Sequence, residues 1–207
     1  QFRQRMAFAL SELLTIVPQS IDAEKQTEVF AKYFDIFVNN AFGNYFDIMK
    51  LVSYSPLMAE HLTYLKSKSH PYIYRKEDKR VSSPGKCRFI LCQEHLGDLS
   101  LTSHQLFLFF FPQDENYSRE IMQLFTIGLF VLNEDGTQVI DSSTGKPKQT
   151  YTNEDIESFA RAWTGFDRQG VRGNTEEHRT GSTDNKLDPM KVIAAYRDPF
   201  PKSDLAG

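Results

Sequence analysis

Apolar residues recur at helical spacing through the first third of the chain. Phe2, Met6, Leu10, Leu13 and Val17 fall on one stripe, with Arg3, Gln4 and Glu12 off it, and Pro18 stops the run. Asp22 suits the N-cap of a second helix, whose apolar face is Val29, Phe30, Tyr33, Phe34 and Phe37. Gly43 and Asn44 interrupt the pattern before a third helix carrying Tyr45, Phe46, Ile48, Met49 and Val52. Ser55-Pro56 predicts a fourth start, because a serine hydroxyl caps free amides and the fixed φ of proline fits a first turn. Met58, Leu62 and Leu65 follow on one face. Four helices joined by short breaks within 1–66 predict a packed helical array.

Residues 67–84 lose this pattern. They are polar and mostly basic, with Lys68, His70, Arg75, Lys76, Lys79 and Arg80, and read as a solvated connection. Order returns at residue 114. Asp114, Glu115 and Asn116 put acceptors and negative charge where a helix N-terminus favours them. Tyr117, Ile121, Leu124 and Phe125 then make a stripe that Gly128 is placed to close in a left-handed turn. Val131-Leu132 and Val139-Ile140 flank Asn133-Glu134-Asp135-Gly136, which predicts a hairpin over 131–140. Thr152 and Asp155 form a capping-box pattern for a helix burying Ile156, Phe159, Ala160 and Trp163, with Gly165 as its stop. Residues 168–207 are polar, with turns at Asp188-Pro189 and Asp198-Pro199, and are expected to pack against sequence outside this chain. The expected fold is mainly α: a multi-helix array with a small β-hairpin, signature helices over 114–167 and an irregular C-terminal tail.

The chain has 207 residues, 40% of them hydrophobic and 25% charged, enough for one globular domain with a sizeable core and too apolar for a disordered polymer. A net charge of −3 removes the electrostatic reason to expect nucleic-acid binding. No run approaches the roughly 18 apolar residues of a membrane helix, so no transmembrane segment is expected. Helical patterning is already under way at Gln1, which reads as a piece of something longer. Cys87 and Cys92 have a spacing no common zinc site uses, and His61, His70, His95, His104 and His178 are scattered. No metal site and no cofactor are indicated.

Two segments look familiar: DENYSREIMQLFTIG over 114–128 and YTNEDIESFARAWTG over 151–165. They resemble the signature of the family known as domain of unknown function 1800. In that family an E-N-Y-A-R-E helix with a T-x-G ending precedes Y-T-x-x-D and a helix closing on T-G-W or T-G-F. Residues 3–11 and 40–44 fit the same family, so the resemblance covers 1–66 and 114–200. Phe125 stands where many members have His, which weakens any role for that histidine. The resemblance implies a mostly helical protein longer than this chain. It also implies export, since bacterial members are often exported, and a sulfatase-like partner encoded beside them. It implies no established activity.

Arg119, Glu120 and Gln123 lie on the polar side of their helix, and Glu157 and Arg161 stand at i, i+4 on theirs. In one reading Glu120 is a general acid or base, and Arg119 or Arg161 clamps an anionic group in a polar cleft. In the other, Arg119 or Arg161 meets Glu120 or Asp155 in a structural ion-pair network. The second is preferred because no nucleophile–base or metal-ligand pattern accompanies these residues. Asn116, Tyr117 and Trp163 are the binding candidates, with a core role preferred for Trp163 over a sugar-stacking platform. Three functions follow. The chain is an exported enzyme or accessory acting on polymeric or sulfated carbohydrate, a helical binding or scaffold module, or an interrupted chain without activity of its own.

The resemblance lapses over 85–113. This stretch lacks helical periodicity and carries six consecutive apolar residues, Leu106 to Phe111, a pattern prone to aggregation. Gly85-Lys86-Cys87 is encodable as GGT-AAG-TGT, which contains a splice donor. The Phe, Leu and Pro codons supply a pyrimidine tract, and Gln113-Asp114 can supply an acceptor AG. Removing 85–113 joins Ser83-Pro84 to Asp114, as the family pattern reads. The segment is expected to be a translated intron of a eukaryotic gene.

Overall fold

The computed structural model describes residues 1–17, 27–69, 114–170 and 185–205. The segment 85–113, the loop 70–84 and the Asp22 cap lie outside them. Helices α1 (Phe2–Leu13), α2 (Thr27–Asn39), α3 (Tyr45–Ser53) and α4 (Pro56–His61) make the N-terminal array. The C-terminal half contributes α5 (Asn116–Glu120) running into a π-helical turn (Ile121–Phe125), then α6 (Asn153–Ala162). Strands β1 (Phe166–Asp167) and β2 (Lys191–Val192) pair antiparallel, and a 3-10 turn comes next at Ala194–Tyr196. The molecule is mainly helical with a small β element.

Helix α1 keeps only the middle of its predicted stripe, with Met6 and Leu10 half-buried and Leu10 packed on the core. Ala7 and Leu14 are fully buried while Phe2 and Leu13 are 69% and 60% exposed. The small Ala7 lets α1 approach α2 closely, and the Leu14 carbonyl accepts a 2.7 Å hydrogen bond from the buried Tyr33 hydroxyl. Phe2 stays outside, stacked on Phe42 at 5.5 Å. Helix α2 follows its expected face, burying Val29, Tyr33 and Phe37 at i, i+4 spacing. In α3, Asn44 is the cap: its side chain accepts from the Phe46 amide at 2.9 Å, and Ile48 and Val52 are buried. Pro56 opens α4 behind Ser55, whose hydroxyl makes no capping bond. This helix is shorter than predicted. Thr63 adopts φ 61°, and the Leu65 amide turns back to the Ala59 carbonyl at 3.0 Å, so Leu65 packs from beyond the helix.

Helix α5 keeps its expected start but not its expected phase. The π turn adds a residue to one turn and rotates the positions after it, so Met122 is buried and Leu124 is 67% exposed. The Tyr45 hydroxyl donates to the Phe125 carbonyl at 2.9 Å, satisfying a group at the loosened helix end. Gly128 then takes φ 76°, the left-handed closure its sequence predicts.

The predicted hairpin is present, within a larger excursion over 129–150. Asn133 and Thr137 pair around Gly136 (φ 83°), and a second turn closes at Gly145 (φ 66°). The Val139 amide donates to the Val131 carbonyl, Val131 to Lys148, and Lys148 to Val139, at 2.8–2.9 Å. Each of three short segments therefore pairs with the other two. At the start of α6 the capping box is complete, with Thr152 and Asp155 bonding each other's backbone amides.

One core joins the two halves. Tyr64 and Tyr117, both fully buried, stack at 4.3 Å, and Trp163 and Phe166 close around them. Residues 66–69 run beside 165–166 and 196, with Lys66 donating to Phe166 and Gly165 to Ser67. The expectation that the C-terminal tail packs only on absent sequence is corrected for residues 185–205. Met190 is buried in the main core, and its amide donates to the Tyr54 carbonyl at 2.8 Å. Largely buried Glu60 on α4, its side chain 10% exposed, pairs with Arg168 and, at 3.3 Å, with Lys186.

Candidate functional site

Where α5, the 129–150 excursion and the N-terminus of α6 meet, they leave a cleft of about 260 Å³. Its polar rim is Arg119, Gln149 and Asn153, and its apolar lining includes Phe130 and Ile156. The capping box places the α6 N-terminus at this rim, so Thr152 and Asn153 also line it. Arg119 holds Glu115 at 3.0 Å, one helical turn back, and both side chains remain about two-fifths exposed. A larger depression of about 480 Å³ at Gln169, Gly170, Asp188, Pro189 and Met190 offers no cation and no nucleophile.

Glu120 is half-buried beside the cleft and makes no hydrogen bond or ion pair among the described residues. Its charge reaches two neighbours. Burial pushes the Tyr151 hydroxyl above its usual range, with Arg119 opposing and Glu120 adding to the shift. Burial pushes His61 down, and Glu120 partly restores it. Tyr151 is 8% exposed, and its hydroxyl has no hydrogen-bond partner among the described residues.

The other sequence candidates lie elsewhere. Arg161 does not meet Glu120 or Asp155: it holds Asp198 at 2.9 Å and the Pro201 carbonyl at 3.0 Å. It sits eight residues along α6 from Asn153, about 12 Å at 1.5 Å per residue, which takes it away from the Arg119 cleft. Asp155 is used by the capping box. The expected network linking Arg119 or Arg161 to Glu120 or Asp155 is thus corrected: each arginine takes a different carboxylate. Tyr117 is fully buried and shares a 2.7 Å hydroxyl contact with Ser53, so it is core and not a binding surface. Trp163 is half-buried in the same aromatic cluster, its ring 4.8 Å from Tyr117. Asn116 is exposed, donating from Nδ2 to Thr63 Oγ1 at 2.9 Å.

Gln149 lies outside the two signature segments, and Tyr151 and Asn153 fall within the second of them without being singled out as site residues. The nearest signal is the capping box, which shows where a helix N-terminus stands but not what faces it. Among the described residues no three His, Cys, Asp or Glu side chains are grouped as metal ligands, and no helix is long and apolar enough to cross a membrane.

The molecule is a mainly helical domain with a small polar cleft and two arginines committed to separate carboxylates. The family described as "Protein of unknown function (DUF1800)" matches residues 1–200, and the chain belongs to that family. No curated protein and no solved structure matches it.

Proposed function

We propose that the chain is a helical binding module whose ligand contact is the Arg119 cleft, with Arg161 serving the architecture. The observation carrying this reading is the separation of the charged candidates: Arg161 is closed on buried Asp198 away from the cleft, while Arg119, paired with Glu115, lines the cleft with about two-fifths of its side chain exposed. An acid–base site would pair Glu120 with a nucleophile, and Glu120 makes no hydrogen bond to a hydroxyl or imidazole among the described residues. A rim of guanidinium and amides over an aromatic and aliphatic floor suits one unit of a polar polymer. The volume lies just below the roughly 300 Å³ at which small-molecule sites begin. Polymeric or sulfated carbohydrate, met after export as an accessory to a sulfatase-like partner, is the ligand class the family resemblance suggests. Sulfate esters would engage Arg119 by charge-assisted hydrogen bonds.

Affinity electrophoresis through gels holding a sulfated or a neutral polysaccharide tests this. The chain is expected to be retarded by the sulfated gel, and Arg119→Gln to lose at least a few-fold in affinity with an unchanged circular dichroism spectrum. Equal retardation of the folded variant and the parent would sink the proposal. If Glu120→Gln abolished turnover of such a polymer while binding persisted, the enzyme reading would replace it.

A further inference from the structure

We propose that Asn116 is an N-glycosylation acceptor. Asn116-Tyr117-Ser118 is the one Asn-X-Ser/Thr tripeptide in the 207 residues. The structure gives its two ends opposite fates. Asn116 is exposed at the start of α5, its backbone amide held by Asp114 Oδ1 at 2.9 Å. Its carboxamide nitrogen has two hydrogens and donates one to Thr63 Oγ1. The second hydrogen has no partner among the described residues, so it is the position a sugar can take while the Thr63 bond is kept.

Ser118 is the reverse. It is fully buried, and its hydroxyl finds no hydrogen-bond partner among the described residues. A buried, unpaired hydroxyl costs stability, a cost that alanine would not carry. The folded state therefore gives no use for this oxygen. Recognition of the tripeptide in the extended nascent chain, before α5 forms, gives it one.

In the reaction Asn116 Nδ2 attacks C1 of a lipid-pyrophosphate-linked oligosaccharide. The N–C1 bond forms, the C1–O bond to pyrophosphate breaks, one amide hydrogen leaves as a proton, and the lipid pyrophosphate departs. This site rests on the export part of the proposed function, because the donor is met only in a secretory compartment.

The test is translation of the full chain behind a secretion leader in the presence of endoplasmic-reticulum microsomes. Asp135→Thr serves as an internal control, since it completes a second acceptor at Asn133 on an exposed turn. The parent is expected to gain one glycan removable by peptide N-glycosidase, and Asp135→Thr two. Asn116→Gln and Ser118→Ala should gain none, while Ser118→Thr keeps the modification. A single glycan on Asp135→Thr with none on the parent would overturn the proposal. Because the microsomes supply the compartment, finding the native protein unexported would count against the export reading separately from the acceptor.

Discussion

At Asp198 a single carboxylate collects Arg161 at 2.9 Å, Lys202 at 3.2 Å and the Phe200 amide at 3.0 Å. Burial pushes its carboxyl up, but these hydrogen bonds outweigh burial and hold it below the ordinary carboxylate value. The sign of the pH dependence comes from that depression. A depressed folded pKa contributes stability that is present above the unfolded value of about 3.9 and lost as pH falls through the folded one. Thermal unfolding of the parent should thus weaken steeply below about pH 4. Asp198→Asn should lower stability at pH 7 by about 2–3 kcal/mol, less than a fully buried pair because Arg161 and Lys202 are partly solvated. Its curve should be flatter below pH 4, and equally steep curves would contradict this role. The sequence marks Asp198-Pro199 only as a turn. Nothing within a few residues reveals that its partner is Arg161, 37 positions earlier.

Elements were legible where their signals are local. Asn44, Pro56, Gly128, the Thr152–Asp155 box and the Asp135-Gly136 turn all act within four residues, and each start or stop appears where those residues predict it. Gly165 combines a local and a distant requirement. It ends α6 with φ 85°, and a Cβ there would lie 2.9 Å from Arg197 Cγ and from the Ile193 carbonyl oxygen. Gly165→Ala should therefore cost more than the roughly 1–2 kcal/mol of a left-handed alanine. Chemical denaturation should show a loss of about 2–4 kcal/mol; a loss of only about 1–2 kcal/mol would mean that the neighbours move aside, and one below about 1 kcal/mol would contradict the left-handed strain as well. Helix phase was less legible. The π turn after α5 rotates its stripe, and on α1 Ala7 is fully buried while Phe2 and Leu13 are exposed, a phase that hydrophobic spacing alone sets differently.

Across the whole molecule, the N-terminal helices and the segments from 114 onward form one core through Tyr64, Tyr117 and Phe166, with Glu60 tied to Arg168 and Lys186. The proposed reading of 85–113 as a translated intron predicts a message joining the codon of Pro84 to that of Asp114. Sequencing the messenger RNA across this junction decides it, and a mature message retaining those codons would make the segment a genuine insertion.

By itself the sequence determined a mainly helical chain, most of its caps and turns, and the family it resembles, because hydrophobic period, capping and φ preference act over a few residues. Tertiary structure alone decided which side of α1 is buried and that Tyr117 is core. It also decided that Arg119 and Arg161 serve different carboxylates, and that the tail returns to the main core. Those outcomes depend on which distant groups reach one another, and a buried hydrogen bond or ion pair between them outweighs the weak rotational preference of an amphipathic stripe.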